Sequence, residues 1–200
     1  MNDEETRVVQ EVSGGGSKIG DILVFIWETA KIIIISLAII LPIRYYLVQP
    51  FFVKGASMEP SFENGDYLLI DEISYRLNEP ARGDVIVFRY PENPSQFFIK
   101  RIIGLPGETV EINNSGITIY NSSNSEGLIL KEEYLAEYQE TFGGSAVSLG
   151  DGEYYVLGDN RLQSSDSRRW GPVPEVNITG KAWLRLWPVT KITKIDSVSY

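Results

Sequence analysis

Two hundred residues carrying a formal charge of -9 and a sequence pI of about 4.6 suit one domain of moderate size with an appendage. That charge opposes a nucleic-acid partner, and the densest basic cluster (Arg161, Arg168, Arg169) is interleaved with Asp159 and Asp166. The chain has no histidine and no cysteine, which excludes a thiol nucleophile, an imidazole base, a disulfide scaffold and the usual nitrogen and sulfur metal ligands; no metal or cofactor is expected.

In chain order, residues 1–21 are polar, include Ser13-Gly14-Gly15-Gly16-Ser17, and read as a flexible tail. Residues 22–48 are the most apolar stretch. Their uncharged centre, Ile32 to Ile43, is about 12 residues or roughly 18 Å of helix, whereas a bilayer core needs about 20 residues. A span must therefore draw on its flanks, with Trp27, Tyr45 and Tyr46 as interfacial anchors and Lys31 and Arg44 positioned to snorkel. A buried core helix and a cleavable signal peptide are the alternatives. The isoleucine-rich centre with aromatic ends speaks against the first, and the lack of a small-x-small site after the core speaks against the second. The reading is a single-pass anchor whose orientation is not set by charge, because Lys18 and Lys31 balance Arg44 and Lys54.

Residues 49–200 break into short runs separated by turn signals, which predicts a mainly β domain. The expected strands are Phe51–Lys54, Tyr67–Ile70, Val85–Tyr90, Phe97–Ile103, Thr109–Ile112, Ile117–Tyr120, Tyr154–Leu157 and Lys181–Leu186. Leu130 to Tyr138 is the best helical window. Asn113–Asn124 and Gly143–Gly152 read as an inserted hairpin region with long loops, too compact for a large second β domain.

Three places carry chemistry. Ser57 lies in Gly55-Ala56-Ser57-Met58-Glu59-Pro60, just after the apolar segment. It reads either as a turn serine or as a nucleophile; without histidine a nucleophile needs another base, and a lysine is the leading one. Lysine serves as a base near neutral pH only when desolvated or placed beside another cation. Lys100 meets that need if Phe97–Ile103 is a strand, because Phe98, Lys100 and Ile102 then share a face; the alternative is an edge-strand lysine that blocks aggregation. Lys54 is too close to Ser57 along the chain, and Lys131 has acidic neighbours that would raise its pKa. The loop Gly158–Pro172 is dense in hydroxyls, carboxylates and arginines, as a hydrogen-bonded network or a polar surface loop would be.

The order of these blocks resembles the bacterial type I signal peptidases. It runs from an apolar anchor through Gly55-x-Ser57-Met58-x-Pro60, Gly65-Asp66-Tyr67 and Gly83-Asp84-Val85-Ile86-Val87-Phe88. It continues with Lys100-Arg101-Ile102-Ile103-Gly104-Leu105-Pro106-Gly107 and the Gly158-Asp159-Asn160-Arg161 loop with Ser164, Asp166, Ser167 and Arg168. The resemblance covers about Trp27 to Pro174. It implies a partly open antiparallel β-barrel with one N-terminal transmembrane helix: a cytoplasmic tail (1–21), an anchor (22–48) in the plasma membrane and an extracytoplasmic catalytic domain (49–200).

It further implies Ser57 as nucleophile and Lys100 as general base, with Ser164 orienting the amine. Asp166 and Arg168 would form a supporting ion pair, with Asp159 in the same network. Phe51, Val53, Gly55, Ala56, Met58 and Ile99 would shape and line a substrate cleft that accepts small side chains at the first and third residues before the cleaved bond. The implied partners are preprotein signal peptides and membrane lipid, with the oligomeric state left open. Two positions depart from the family pattern. Gly55 stands where some members carry a serine that joins the oxyanion hole, and Leu162-Gln163 replaces a common Asp-Asn pair. An inactive membrane-anchored binding module is one rival. A self-cleaving Ser–Lys regulator is another, and it would need a DNA-binding domain or a cleavable linker in place of the anchor.

Overall fold

A run of leucine, isoleucine and alanine ending at a proline makes a long helix, and the computed structural model shows one, α1 (Lys18–Pro42). The structure describes residues 18–42, 48–113, 116–135, 140–143 and 145–200. The chain divides into two units, 1–42 and 43–200.

In the first unit α1 has 25 residues, or about 37 Å at 1.5 Å per residue, longer than the roughly 30 Å hydrocarbon core of a bilayer. By length and composition it can cross a membrane. Large apolar side chains from Ile19 to Leu41 are exposed all round it, a pattern suited to an apolar medium and costly in water. Its two central charges neutralise each other, with Lys31 Nζ 2.7 Å from Glu28 Oε1 one turn away. Lys31 therefore has a partner inside the helix instead of snorkelling alone.

The helix differs in extent from the expected anchor. Residues 18–21 form its first turn and are not tail, because Ile19 and Ile22 continue the apolar surface. Trp27 lies well inside it, not at an end. Val48 belongs to the first strand of the second unit. Residues 1–17, together with Arg44, Tyr45 and Tyr46, lie outside the described residues.

The second unit is mainly β. Its strands are β1 (Val48–Phe52), β2 (Tyr67–Asp71), β3 (Val85–Tyr90), β4 (Asn93–Gly104), β5 (Thr109–Asn113), β6 (Gly116–Asn121), β7 (Asn124–Ile129), β8 (Val147–Ser148), β9 (Glu153–Leu157), β10 (Val173–Pro174), β11 (Ile178–Trp187) and β12 (Thr193–Lys194). Short helices α2 (Ser74–Leu77) and α3 (Ser167–Trp170) sit in connections. The main sheet runs β1-β2-β11-β3-β4-β9-β10, with β12 on β11, and every neighbouring pair is antiparallel.

Strand β3 shows why this sheet is buried on both faces. Its side chains alternate between two cores: Val85 and Val87 pack with Val53, Met58, Phe62, Leu68 and Ile70, while Ile86 and Phe88 pack with Ile102, Tyr154, Val156 and Val173. The strands from β1 to β4 curl far enough for Phe51 of β1 to meet Phe97 of β4, ring centroids 5.3 Å apart. That curl leaves a partly open barrel with a gap between two unpaired strand edges. β1 pairs only with β2, and β4 pairs with β9 only from Arg101 to Gly104.

The expected strands at 109–112 and 117–120 are β5 and β6, and what was expected as long loops around them adds β7 and β8, giving a four-stranded sheet, β7-β6-β5-β8. Val110, Ile112, Ile117 and Ile119 give it an apolar face that packs with Ile103 and Leu157 of the main sheet, so it shares a core and is no separate domain. The asparagines and serines at 121–124 make a tight turn in which Asn121 Oδ1 accepts from the Ser123 and Asn124 N–H groups. The helical window fails in its described part. Residues 130–135 hold only a turn, Leu135 N–H to Glu132 O at 3.0 Å, after Leu130 has bonded to the Ile117 carbonyl. Tertiary partners outweigh a weak local preference here.

Candidate active site

Ser57 is held by what flanks it. Upstream, Val53 exchanges backbone hydrogen bonds with Asp66 and Gly65 (2.9 and 3.0 Å), and Asn64 Oδ1 accepts from the Gly55 N–H at 2.9 Å. Downstream, Met58 is buried in the core and its carbonyl accepts from the Phe62 N–H, starting a tight turn. Met58 thus anchors the site from below; Val53, Gly55 and Ala56 line the cleft and Met58 does not. The Ser57 carbonyl accepts from the Asn160 N–H at 3.0 Å, which fastens the serine turn to the polar loop. Gly158 permits this contact, because a Cβ there would lie 2.4 Å from the Ser57 carbonyl oxygen and 2.2 Å from Ser164 Oγ.

Lys100 lies opposite Ile86 in the β3–β4 ladder, with Phe98 and Ile102 on the same face in one apolar cluster. Its Nζ donates to Ser57 Oγ at 2.8 Å and to the Ile99 carbonyl at 2.8 Å, and sits 5.4 Å from the Phe98 ring centre. Among the described residues no carboxylate lies within ion-pair distance of it. Burial lowers its pKa from 10.5 to about 8, against a weaker upward pull from Asp166 and Asp159.

Those two carboxylates are each engaged elsewhere. Asp166 makes a two-pronged pair with Arg168 (2.8 Å on each prong) and accepts from the Gly158 N–H. Burial works against its charge, but Arg168 and these hydrogen bonds hold its carboxyl below the usual range. Asp159 does not join that pair. It makes its own with Arg101, Nε to Oδ1 at 2.9 Å and Nη2 to Oδ2 at 2.6 Å, and both side chains are buried. Arg101 was not singled out in the sequence, although strand alternation places it on the face opposite Lys100. Ser164 is buried against Gly158 and its hydroxyl makes no hydrogen bond of ordinary geometry. It lies near enough to Asp166 to favour that group's charge, and the bonds from the lysine amine go to Ser57 and Ile99 instead.

A cavity of about 420 Å³ opens between the unpaired edges of β1 and β4. Phe51, Val53, Gly55, Ala56, Ser57, Ile99 and Lys100 line it. Phe97 and Phe98, which precede Ile99 on β4, also line it, as do Leu68, Val87, Gln163 and Ser165, which were not foreseen. Leu68 and Val87 were legible only as core residues; the curl of the sheet turns them toward the gap. Chemically, the arrangement offers a hydroxyl bonded to a largely desolvated amine, at the foot of an apolar groove. Among the described residues no group of histidine, cysteine or carboxylate side chains could hold a metal ion.

Comparison with known proteins agrees with this geometry. The family described as "Signal peptidase, peptidase S26" matches residues 26–187. A probable signal peptidase I-1 of Synechocystis is 38% identical, over 88% of this chain and 90% of its own. The signal peptidase I of Leptolyngbya laminosa is 39% identical (84% and 83%), and that of Bacillus amyloliquefaciens 36% (81% and 86%). A match that takes in the apolar helix, the serine turn, the lysine strand and the polar loop together is a match to the whole working unit, and on it the chain belongs to the signal peptidase I family of serine proteases.

Proposed function

We propose that this enzyme cleaves signal peptides from preproteins with Ser57 as nucleophile and Lys100 as general base. The observation that carries the reading is the 2.8 Å hydrogen bond between Lys100 Nζ and Ser57 Oγ, in a site where burial brings the amine to about 8. Neutral Lys100 takes the Ser57 proton as Oγ attacks the scissile carbonyl. The resulting ammonium gives that proton to the leaving amine as the peptide bond breaks, leaving an acyl-serine ester and a neutral lysine. Lys100 then removes a proton from water, whose oxygen attacks the ester, and the proton returns to Ser57 as the signal peptide departs with a free carboxylate. The Ser57 N–H is the backbone donor assigned to the oxyanion, and Gly55 adds no hydroxyl to it.

An extended substrate fits between the open edges of β1 and β4, where each strand offers unpaired backbone groups. The apolar lining by Phe51, Val53, Leu68, Val87 and Ile99 suits small aliphatic side chains beside the scissile bond, as in Ala-x-Ala. Ser164, whose buried hydroxyl lies near Asp166, is assigned to orienting the amine, and the Asp166–Arg168 pair to holding the loop beneath it. With family and helix together giving a membrane-anchored protein, we place the catalytic unit on the extracytoplasmic side of the plasma membrane, where signal peptides emerge. A shared bilayer raises the encounter concentration of enzyme and substrate.

The test is preprotein processing by Ser57→Ala and Lys100→Ala enzymes in detergent micelles. Loss of turnover by roughly three orders of magnitude or more is expected for each. Full turnover by either variant overturns the assignment of that residue.

A further inference from the structure

The segment Ile195–Tyr200, which follows β12, takes no part in the chemistry above, yet it is tied into the body along its length. The Ile195 N–H bonds to the Trp183 carbonyl at 2.9 Å, and its side chain packs on the cluster containing Met58. Ser197 Oγ bonds to buried Asp84 and to Lys181 (2.5 and 2.7 Å). The Val198 N–H reaches the Gly83 carbonyl at 3.4 Å, and a Cβ on Gly83 would lie 2.0 Å from the Val198 carbonyl oxygen, so the two backbones touch. Tyr200 packs on the cluster containing Ile103 and Leu157.

Two of these contacts, at Gly83 and at Tyr200, lead to Arg101. The same Gly83 carbonyl accepts from Arg101 Nη1 at 3.0 Å. The Arg101 guanidinium lies 4.3 Å from the Tyr134 ring centre, and the Tyr134 and Tyr200 hydroxyls are 2.9 Å apart. Tyr134 is itself fixed by Arg161 and Glu132, 3.0 and 2.7 Å from its hydroxyl. The segment thus closes over the Arg101 side of β4, behind Lys100.

We propose that Tyr200, acting through Tyr134, is a positioning residue for Lys100: it clamps the Arg101–Asp159 pair on the back of β4 and so keeps the lysine free of an uncompensated carboxylate. This rests on Lys100 being the base. The groups facing Lys100 are Ser57 Oγ, the Ile99 carbonyl and the Phe98 ring, with the Asp159 and Asp166 charges acting from the polar loop. Loosening Arg101 leaves Asp159 less compensated, and its charge then favours the ammonium. Burial pushes the Tyr134 and Tyr200 phenols upward, so both stay protonated through the range in which Lys100 titrates.

The experiment compares wild type with Tyr200→Phe and Tyr200→Ala, full chain in detergent, by the pH dependence of kcat/KM and by NMR titration of the lysine side-chain nitrogens. Tyr200→Ala should move the acidic limb and the Lys100 titration to higher pH together, by roughly half to one unit. At pH 7 this lowers kcat several-fold with KM unchanged. Tyr200→Phe, which keeps the ring and loses only the hydroxyl bond, should show a smaller shift in the same direction and serves if the alanine variant does not fold. An unmoved Lys100 titration in a folded variant overturns the proposal, even if its melting temperature falls. A Lys100 titration that moves while the kinetic limb stays fixed upholds the clamp and instead overturns Lys100 as the base.

Discussion

Lys100 and Arg101 are neighbours on one strand, both buried, and the protein treats them in opposite ways. Arg101 receives a carboxylate on two prongs, a carbonyl and an aromatic ring. Lys100 receives a hydroxyl, a carbonyl and apolar walls, and the two nearby acids are already committed to arginines. Alternation along β4 makes the contrast possible by sending adjacent cations to different faces. A buried charge with full partners is a structural rivet, whereas a buried lysine denied a counter-charge gives up its proton readily.

Breaking the arginine side should have the largest effect. Arg101→Met leaves Asp159 buried and unpaired, a loss of about 3–5 kcal/mol. The freed negative charge should also raise the Lys100 pKa and move the acidic limb of kcat/KM to higher pH. Asp159→Asn reverses the local charge, so its limb should move to lower pH at a comparable cost in stability. Chemical denaturation paired with pH–rate profiles checks both, and equal shifts in the same direction would refute the charge reading.

The lysine side predicts a smaller effect of opposite sign. Folded Lys100 titrates near 8 and the unfolded lysine near 10.5, so between these values the unfolded chain binds more protons. The penalty for burying the ammonium is therefore fully present below pH 8 and is relieved as pH rises toward 10.5. Its ceiling is roughly 3 kcal/mol at 1.36 kcal/mol per unit, offset by about 1 kcal/mol for the lost bond to Ile99. Lys100→Met should be inactive yet about 2 kcal/mol more stable than wild type at pH 7, the gain shrinking above pH 8 and turning above pH 10.5 into a loss of about 1 kcal/mol, that of the Ile99 bond. Denaturant titrations across that range measure it.

The least effect belongs to the groove. Phe97→Ala removes a half-exposed ring that meets Phe51 across the two open edges. We expect kcat/KM to fall by roughly 5–10-fold through KM, with the pH limb unmoved. A moved limb would mean that the groove wall, and not the back of β4, controls the lysine.

Much of the fold was readable from periodicity. Leu68 and Ile70 alternate into the core as β2, Val85–Tyr90 is a strand at the expected limits, and the strand expected at Tyr154–Leu157 begins one residue earlier, at Glu153. Strand β4 runs from Asn93, four residues earlier than expected, because Pro94 and the polar residues at 95–96 hide a strand that only its β3 partner supports. In the second sheet β5 and β6 were expected as strands, whereas β7 and β8 were read as loop, since one is largely polar and the other only two residues long and both are supported by pairing with β6 and β5. At the site, Ser57 and Lys100 were found as chemical types, and the structure brings them to 2.8 Å. Asp159 was put in the Asp166–Arg168 network but belongs to Arg101, because pairing among dense loop charges depends on three-dimensional direction and not on spacing.

By itself the sequence determined which chemistry was open: without histidine or cysteine, a serine with a lysine base was the leading arrangement for a hydrolase, and an apolar run near the N-terminus marked the anchor. Tertiary structure alone decided whether that lysine is fit for the task. A lysine's proton affinity depends on how much water and which charges surround it, and here those are set by burial behind the curl of β1 toward β4 and by the Asp166–Arg168 and Arg101–Asp159 pairs.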